Sequence, residues 1–281
     1  MPIGEATIPV LDRGFIFGDG VYEVIPVYSR RAFRLSEHLK RLQASLDGIR
    51  LPNPHSEAGW GKLVDELIAR NEGEDQYLYL HITRGVAKRD HAFPQPPVTP
   101  TVFMMSSPLL HPAAELLATG VSAVTASDNR WLRCDIKAIS LLPNVLLRQL
   151  AVDAGCAETI LIRDEAGGGD GFMTEGAASN IFINKNNVLC APPKNSLMLP
   201  GITYDVVLEL AAAHHIPFEV RKIGKAELFS ADEILLTSST REVMPITLLD
   251  GKPVGNGKPG PMFTRLYSLY QNFKSEVMRQ P

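Results

Sequence analysis

The chain switches twice between segments with the two-residue period of a strand and segments with the 3.6-residue period of a helix. That alternation restricts it to a mixed α and β fold. In the first series Ala6 to Leu11 alternates as a strand, Asp12-Arg13-Gly14 makes a turn, and Val21 to Tyr28 is a strand rich in branched and aromatic side chains. Ser36 is placed to cap a helix, with Glu37 in its first turn. Leu39, Leu42, Leu46 and Ile49 mark the apolar stripe of that helix. His38, Arg41 and Ser45 share a second face, which by itself reads as solvated. Trp60 to Arg70 is a further amphipathic helix, and Gln76 to Thr83 and Thr101 to Ser106 are strands.

The second series opens with a strand from Val121 to Thr125. A helix from Pro143 to Ala154 has proline in its first turn and Gly155 just past its end. Glu158 to Arg163 is a strand, Asn180 to Ile183 and Val188 to Ala191 form a hairpin, and Thr203 is the natural N-cap of the helix that follows. Glu233 to Leu236 is a strand, and a last helix runs from Met262 toward Lys274. Pro112 and several small residues mark a link. The expected organisation is a small N-terminal α/β domain over 1–110, a linker over 111–121 and a larger C-terminal domain over 122–281 that carries Lys137.

Composition narrows the function classes. The 281 residues are 45% hydrophobic and 21% charged, as in ordinary soluble domains. A net charge of −3, with Lys and Arg scattered, argues against a nucleic-acid surface. Cys134, Cys156 and Cys190 have no metal-ligand spacing and cannot all pair, which suits a reducing cytosol and no bound metal. No apolar run reaches membrane-spanning length, and Met1 to Glu5 lacks the pattern of a signal peptide. The expectation is a cytoplasmic enzyme acting on small molecules.

Within this frame Lys137 stands out. It lies between Arg130-Trp131-Leu132-Arg133-Cys134-Asp135-Ile136 and the apolar run Ala138 to Leu142. Most lysines in such settings bury the stem and keep the head in water; the alternative is an amine used as nucleophile or base. The polar loop Arg84 to Pro94 is either plain surface or an anion clamp, because arginine makes forked bonds to carboxylates. Gly18-Asp19-Gly20 is half of a dinucleotide fingerprint, but a strand follows it, so a tight turn against another element is the better reading. Thr237-Ser238-Ser239-Thr240 reads as a turn or a phosphate cradle. Taken together, an amine, a lone acid at Glu175, a helix start at Gly201 to Thr203 and these hydroxyls are the parts a pyridoxal phosphate site needs.

The motifs Asp12 to Val24, Glu37 to Leu42, Arg130 to Lys137, Thr174 to Asn180, Gly201 to Thr203 and Thr237 to Glu242 fall in order along most of the chain. In these the sequence resembles the class-IV (fold-type IV) pyridoxal phosphate-dependent aminotransferases, nearest to their D-amino acid aminotransferase branch. The resemblance implies a two-domain, mixed α and β fold-type IV enzyme with Lys137 as its Schiff-base lysine and proton shuttle. It implies Glu175 as partner of the pyridine nitrogen, and Arg41, Ile202, Thr203, Ser238 and Ser239 as phosphate ligands. Leu199 falls where the family packs a side chain on the ring. Tyr22, Arg89 and His91 match the trio that holds a substrate α-carboxylate, and the His38/Arg41 face is then expected to point into the site. D-preference, ping-pong transfer to a 2-oxo acid such as 2-oxoglutarate, and a homodimer with His91 serving across its interface are implied as well.

The chain departs from the family pattern in a short segment before Asp12, a glycine-rich insertion at Gly167 to Gly171, and Ala177 and Ala178 where the family carries hydroxyls. The runner-up reading is a branched-chain L-aminotransferase or aminodeoxychorismate lyase on the same fold. A cofactor-binding protein without catalysis is the reading from another class.

Overall fold

The computed structural model describes residues 1–165 and 169–278, and these divide into two compact units. The first comprises Met1–Leu110 together with Ile136–Leu141; the second comprises His111–Asp135 and the rest of the chain. Lys137 therefore belongs with the N-terminal unit, apart from the segments on either side of it. The expected linker is not featureless, since it contains a short helix.

In the first unit Asp12 caps α1 (Arg13–Phe17), its side chain accepting from the Gly14 amide, and Gly18 ends the helix at φ 66°. The chain then enters β1 (Gly20–Tyr28), where a methyl added to Gly20 would lie 2.4 Å from the Ile82 carbonyl oxygen. The expected close turn is there, although the Asp12-Arg13-Gly14 segment is the cap and start of a helix. After β2 (Arg31–Ala32) come α2 (Leu35–Gly48), α3 (Glu57–Ala69), β3 (Gln76–Thr83) and β4 (Thr101–Pro108). The four strands form an antiparallel sheet in the order β2-β1-β3-β4.

Leu39, Leu42 and Leu46 of α2 pack with Val21, Leu80 and Ile82 of the sheet, joined by Ile136 and Ala138 from the returning segment. Val64 and Ile68 of α3 pack with Ile25, Val27 and Leu78. His38, Arg41 and Ser45 are buried as well, so α2 presents two inward faces and the solvated reading of the second is overturned. Two local expectations also fail. Ala6 to Leu11 forms no strand among the described residues, and Ile8, Val10 and Leu11 are exposed; alternation without a neighbouring strand to pair with is not enough. The N-cap of α2 is Arg34 at φ 53°, while the Ser36 hydroxyl bonds to Glu57 at 3.1 Å.

The second unit contains α4 (Ala114–Thr119), β5 (Val121–Ser127), α5 (Leu142–Asp153), β6 (Glu158–Arg163), β7 (Phe172–Gly176), β8 (Asn180–Lys185) and β9 (Val188–Ala191). It continues with α6 (Ile202–Ala213), β10 (Phe218–Val220), β11 (Ile223–Gly224), α7 (Lys225–Phe229), β12 (Glu233–Ser238), β13 (Glu242–Leu249), β14 (Lys252–Pro253) and α8 (Pro261–Met278). Its strands lie in the order β10-β9-β8-β12-β13-β5-β6-β7-β11, with β14 paired to β13. Ile160, Ile181, Ile183, Ile234, Leu236 and Ile246 build its core. Of the expected glycine insertion, Gly167 and Gly168 lie outside the described residues.

Candidate active site

The first unit assembles one group of candidate residues around β1. The segment carrying Lys137 is not a regular strand; it touches β1 through one bridge, Val21 to Ala138. Both backbone groups of Lys137 are nevertheless held. Its carbonyl accepts from the Tyr22 amide at 2.9 Å and its amide donates to the Ser45 hydroxyl at 3.1 Å. Its Nζ lies 4.2 Å from the centre of the Tyr22 ring, a cation–π contact. Arg133 and Asp135, close to Lys137 in the chain, pair with each other at the surface.

Next to Tyr22, Glu23 is fully buried on the apolar side of β1. Arg41 Nε and Nη2 each bond to one of its carboxylate oxygens at 2.8 Å, and His38 Nδ1 lies 2.8 Å from Oε2. Burial would raise the carboxyl, but the charge and hydrogen bonds of Arg41, with His38, outweigh it and hold Glu23 far below the usual range. Burial pushes His38 down, against the pull of Glu23. A neutral imidazole facing a carboxylate carries its proton on Nδ1, which leaves Nε2 an acceptor.

Arg89 and His91 are exposed on the loop between β3 and β4, and both approach Phe17: the guanidinium carbon of Arg89 is 5.5 Å and the His91 ring 5.3 Å from the Phe17 ring centre. Tyr22 is brought to Lys137 and Tyr79.

The second unit assembles its own group around Glu175, at the end of β7. This carboxylate is buried and accepts from Arg130 Nη1 at 2.5 Å, from Asn180 Nδ2 at 3.2 Å and from the Leu199 amide at 3.2 Å. Asp128 holds Arg130 in turn, with Nε and Nη2 on its two oxygens at 2.9 and 3.0 Å. Thr174 and Arg163 complete the shell of Asp128. The two carboxyls diverge. Burial raises both, but Arg130's paired bonds, Thr174 and Arg163 take Asp128 below its usual value. Glu175 receives only one bond from Arg130, and burial prevails, pushing it up to about 7. Asn180 extends the group. It pairs with Thr237 across β8 and β12, and its Oδ1 would lie 2.0 Å from a methyl added at Gly201.

Gly201, not Thr203, is the N-cap of α6, and no side chain caps it. Ile202 and Thr203 are buried in the first turn. Ser238 ends β12; its hydroxyl accepts from the Arg241 amide at 3.2 Å, which leaves its own proton to donate elsewhere. Ser239 follows in the turn.

The second unit's residues suit a ligand with a phosphate and a basic ring nitrogen. A helix N-terminus without a side-chain cap attracts an anion. Thr237 Oγ1 is a buried polar atom that lacks a partner among the described residues; it directly precedes Ser238, and such an orphan calls for a bound group. In the first unit Arg41 commits one edge of its guanidinium to Glu23. Glu23, Asp128, Arg130 and Asn180 were missed as site residues. Among the described residues no group of three or more His, Cys, Asp or Glu is arranged to hold a metal ion, and no helix is long and apolar enough to cross a membrane.

The chain is similar to known proteins along nearly its whole length. The chain is 42% identical over 272 residues to the D-alanine aminotransferase of Bacillus licheniformis, covering 97% of this chain and 93% of that protein. It is 36% identical to the D-alanine aminotransferase of Staphylococcus haemolyticus, over 96% and 93%. Among solved structures, the branched-chain amino acid aminotransferase of Escherichia coli superposes with a TM-score of 0.87 at 27% identity, covering 97% of this chain and 91% of that one. The T.th. branched-chain amino acid aminotransferase with pyridoxamine 5'-phosphate gives 0.88 at 26%, covering 100% and 92%. The model of the amino-transferase class IV family matches residues 20–249, and the chain belongs to that family.

Proposed function

We propose that the chain exchanges amino groups between D-amino acids, D-alanine among them, and 2-oxo acids such as 2-oxoglutarate, with pyridoxal phosphate as cofactor and ping-pong turnover. The observation that carries the reading is the Arg89-x-His91 loop in a chain 42% identical to a D-alanine aminotransferase. Bound pyridoxal phosphate supplies a ring that draws electrons away from the bond broken at the substrate Cα.

The chain's own residues do the rest. Lys137, with both backbone groups fixed, would hold the cofactor covalently and move the Cα proton. Glu175, steadied by the Leu199 amide, would pair with the ring nitrogen, and Leu199 would pack on the ring. Arg41, Ile202, Thr203, Ser238 and Ser239 hold the phosphate. Tyr22, Arg89 and His91 take the α-carboxylate, and orienting it decides which Cα proton Lys137 meets. Its free cysteines and the surface of α5 support a cytosolic homodimer.

The test is turnover of D-alanine against L-leucine with 2-oxoglutarate, and D-alanine is expected to win. A preference for L-leucine would favour the second reading, a branched-chain enzyme, which the solved structures at TM-scores of 0.87 and 0.88 support. Lys137→Ala should lose both turnover and the absorbance of covalently held cofactor; retained turnover would overturn the assignment of Lys137. Arg89→Ala should impair D-alanine far more than an amine lacking a carboxylate, and equal loss would refute the clamp.

A further inference from the structure

The Asp12-Arg13-Gly14 segment matches the family pattern, but nothing in the reading above uses Arg13. Its side chain is buried, 3% exposed, although it carries a full charge at the edge of an exposed loop. Nε bonds to Asp19 Oδ2 at 2.8 Å. The rest of the guanidinium is turned to three successive carbonyls: Nη1 donates to Asp90 at 2.6 Å and Ala92 at 3.2 Å, and Nη2 donates to His91 at 3.4 Å. Its guanidinium carbon also lies 4.9 Å from the centre of the Phe17 ring, the ring that Arg89 and His91 approach.

A planar fork with five donors can hold Asp19 and three carbonyls at once; an ammonium, with three donors on one atom, cannot make all four contacts. Three bonds to consecutive carbonyls fix the backbone path of 90–92, and with it the direction in which the neighbouring side chains leave the chain. The anchor is rigid on its own side. Asp19 also binds Arg84 Nε and Nη2, and Arg84 ties to the carbonyls of Ile49 and Arg50 and stacks 3.8 Å from the Phe93 ring centre. The Arg13 amide donates to the Gly85 carbonyl at 2.9 Å, where the loop begins. Beyond these ties the exposed stretch 88–92 is held by the Ala92 amide on Asp90 Oδ1 and by the contacts of Arg89 and His91 with the Phe17 ring.

We infer that Arg13 is the positioning residue of the substrate clamp: by holding the carbonyls of Asp90, His91 and Ala92 it sets the loop conformation from which Arg89 and His91 meet the substrate α-carboxylate. The inference rests on the proposed role of Arg89 and His91. Arg13 touches no reacting atom, so its loss should weaken substrate binding and leave the chemical step largely intact.

The experiment compares wild-type, Arg89→Ala, Arg13→Met and Arg13→Lys holoenzymes in steady-state kinetics with D-alanine, together with backbone hydrogen exchange over residues 88–93. Both Arg13 variants should raise KM for D-alanine on the order of 10- to 100-fold, the range in which remote misplacement is felt. Their kcat should stay within about threefold, and exchange in the loop should quicken. A fall in kcat at unchanged KM marks a merely structural role and overturns the inference. So does an unchanged KM in Arg13→Met while Arg89→Ala raises it, which leaves the clamp standing. If Arg89→Ala itself leaves KM unchanged, the clamp falls and this inference with it. Should Arg13→Met not fold, Arg13→Lys decides alone: it keeps a charge beside Asp19 but cannot hold the three carbonyls as well, and an unaltered KM there overturns the inference.

Discussion

Glu175 is raised to about 7 although it touches a guanidinium, which makes Arg130 the residue on which its charge depends. Removing that guanidinium in Arg130→Met leaves Asp128 and Glu175 buried without their shared cation. The expected destabilisation is about 3–5 kcal/mol, read by urea unfolding of the cofactor-free protein; a loss below about 1 kcal/mol would refute the dependence. The pH dependence has a definite sign. Between an ordinary carboxyl value near 4.5 and its folded value near 7, Glu175 holds a proton in the fold that the unfolded chain has released. Its contribution therefore becomes less favourable as pH rises through that window and is level above it. The stability of the wild type minus that of Glu175→Gln should fall across the window, and a flat difference would contradict the raised value. The buried charge cluster at Glu23, by contrast, was partly legible in the sequence. Val21, Glu23, Ile25 and Val27 share one face of a two-residue period, so a lone acid on an apolar face demanded a cation, and Arg41 answers it. The pairing of Arg130 with Glu175 was not legible, because it joins residues 45 positions apart through side chains alone.

At the scale of elements, long periodic segments could be read and their ends could not. The stripe of α2 and the strands β1, β3 and β4 follow from apolar spacing, which burial enforces along a whole segment. Caps are chosen by single close contacts. The sequence favours Thr203 as a cap on side-chain chemistry, but the helix is capped two residues earlier by Gly201, where Asn180 leaves no room for a side chain. The same crowding makes a test. Gly201→Ala would drive a methyl to 2.0 Å from Asn180 Oδ1, and Asn180 also steadies Glu175. Either the amide side chain or the first turn of α6 must shift, disturbing both proposed cofactor contacts together. Cofactor affinity of the apoprotein should weaken by at least about tenfold, the equivalent of one charge-assisted hydrogen bond. Equilibrium titration of the apoprotein with pyridoxal phosphate measures it, and unchanged affinity would remove the N-terminus of α6 from the phosphate site.

Over the whole molecule, the sequence is not divided at one point, because Ile136–Leu141 leave the second unit's stretch and pack with the first. A reading along the chain assigns Lys137 to the later domain, since nothing local in six residues announces that they return; Ile136 and Ala138 join the earlier core only through contacts with β1 and α2. The oligomeric state belongs to this scale too. On α5, Leu147 and Ala151 are buried, while Leu142, Val145, Leu146 and Leu150 are each between 47% and 68% exposed. Their spacing gathers them on a second apolar face of the helix. Four large apolar side chains in one stripe are more than a soluble monomer ordinarily leaves in water, and a second copy of this chain is the cover that the proposed homodimer provides. Leu146→Glu sets a charge in the middle of that stripe. Light scattering on the eluting protein should then show one chain per particle where the wild type shows two. A wild type that elutes as a single chain, or a variant that stays paired, would refute the assignment. If His91 serves the partner's site, the separated chains should also lose D-alanine turnover while still binding pyridoxal phosphate through Lys137. Full turnover by separated chains would return His91 to its own subunit's site.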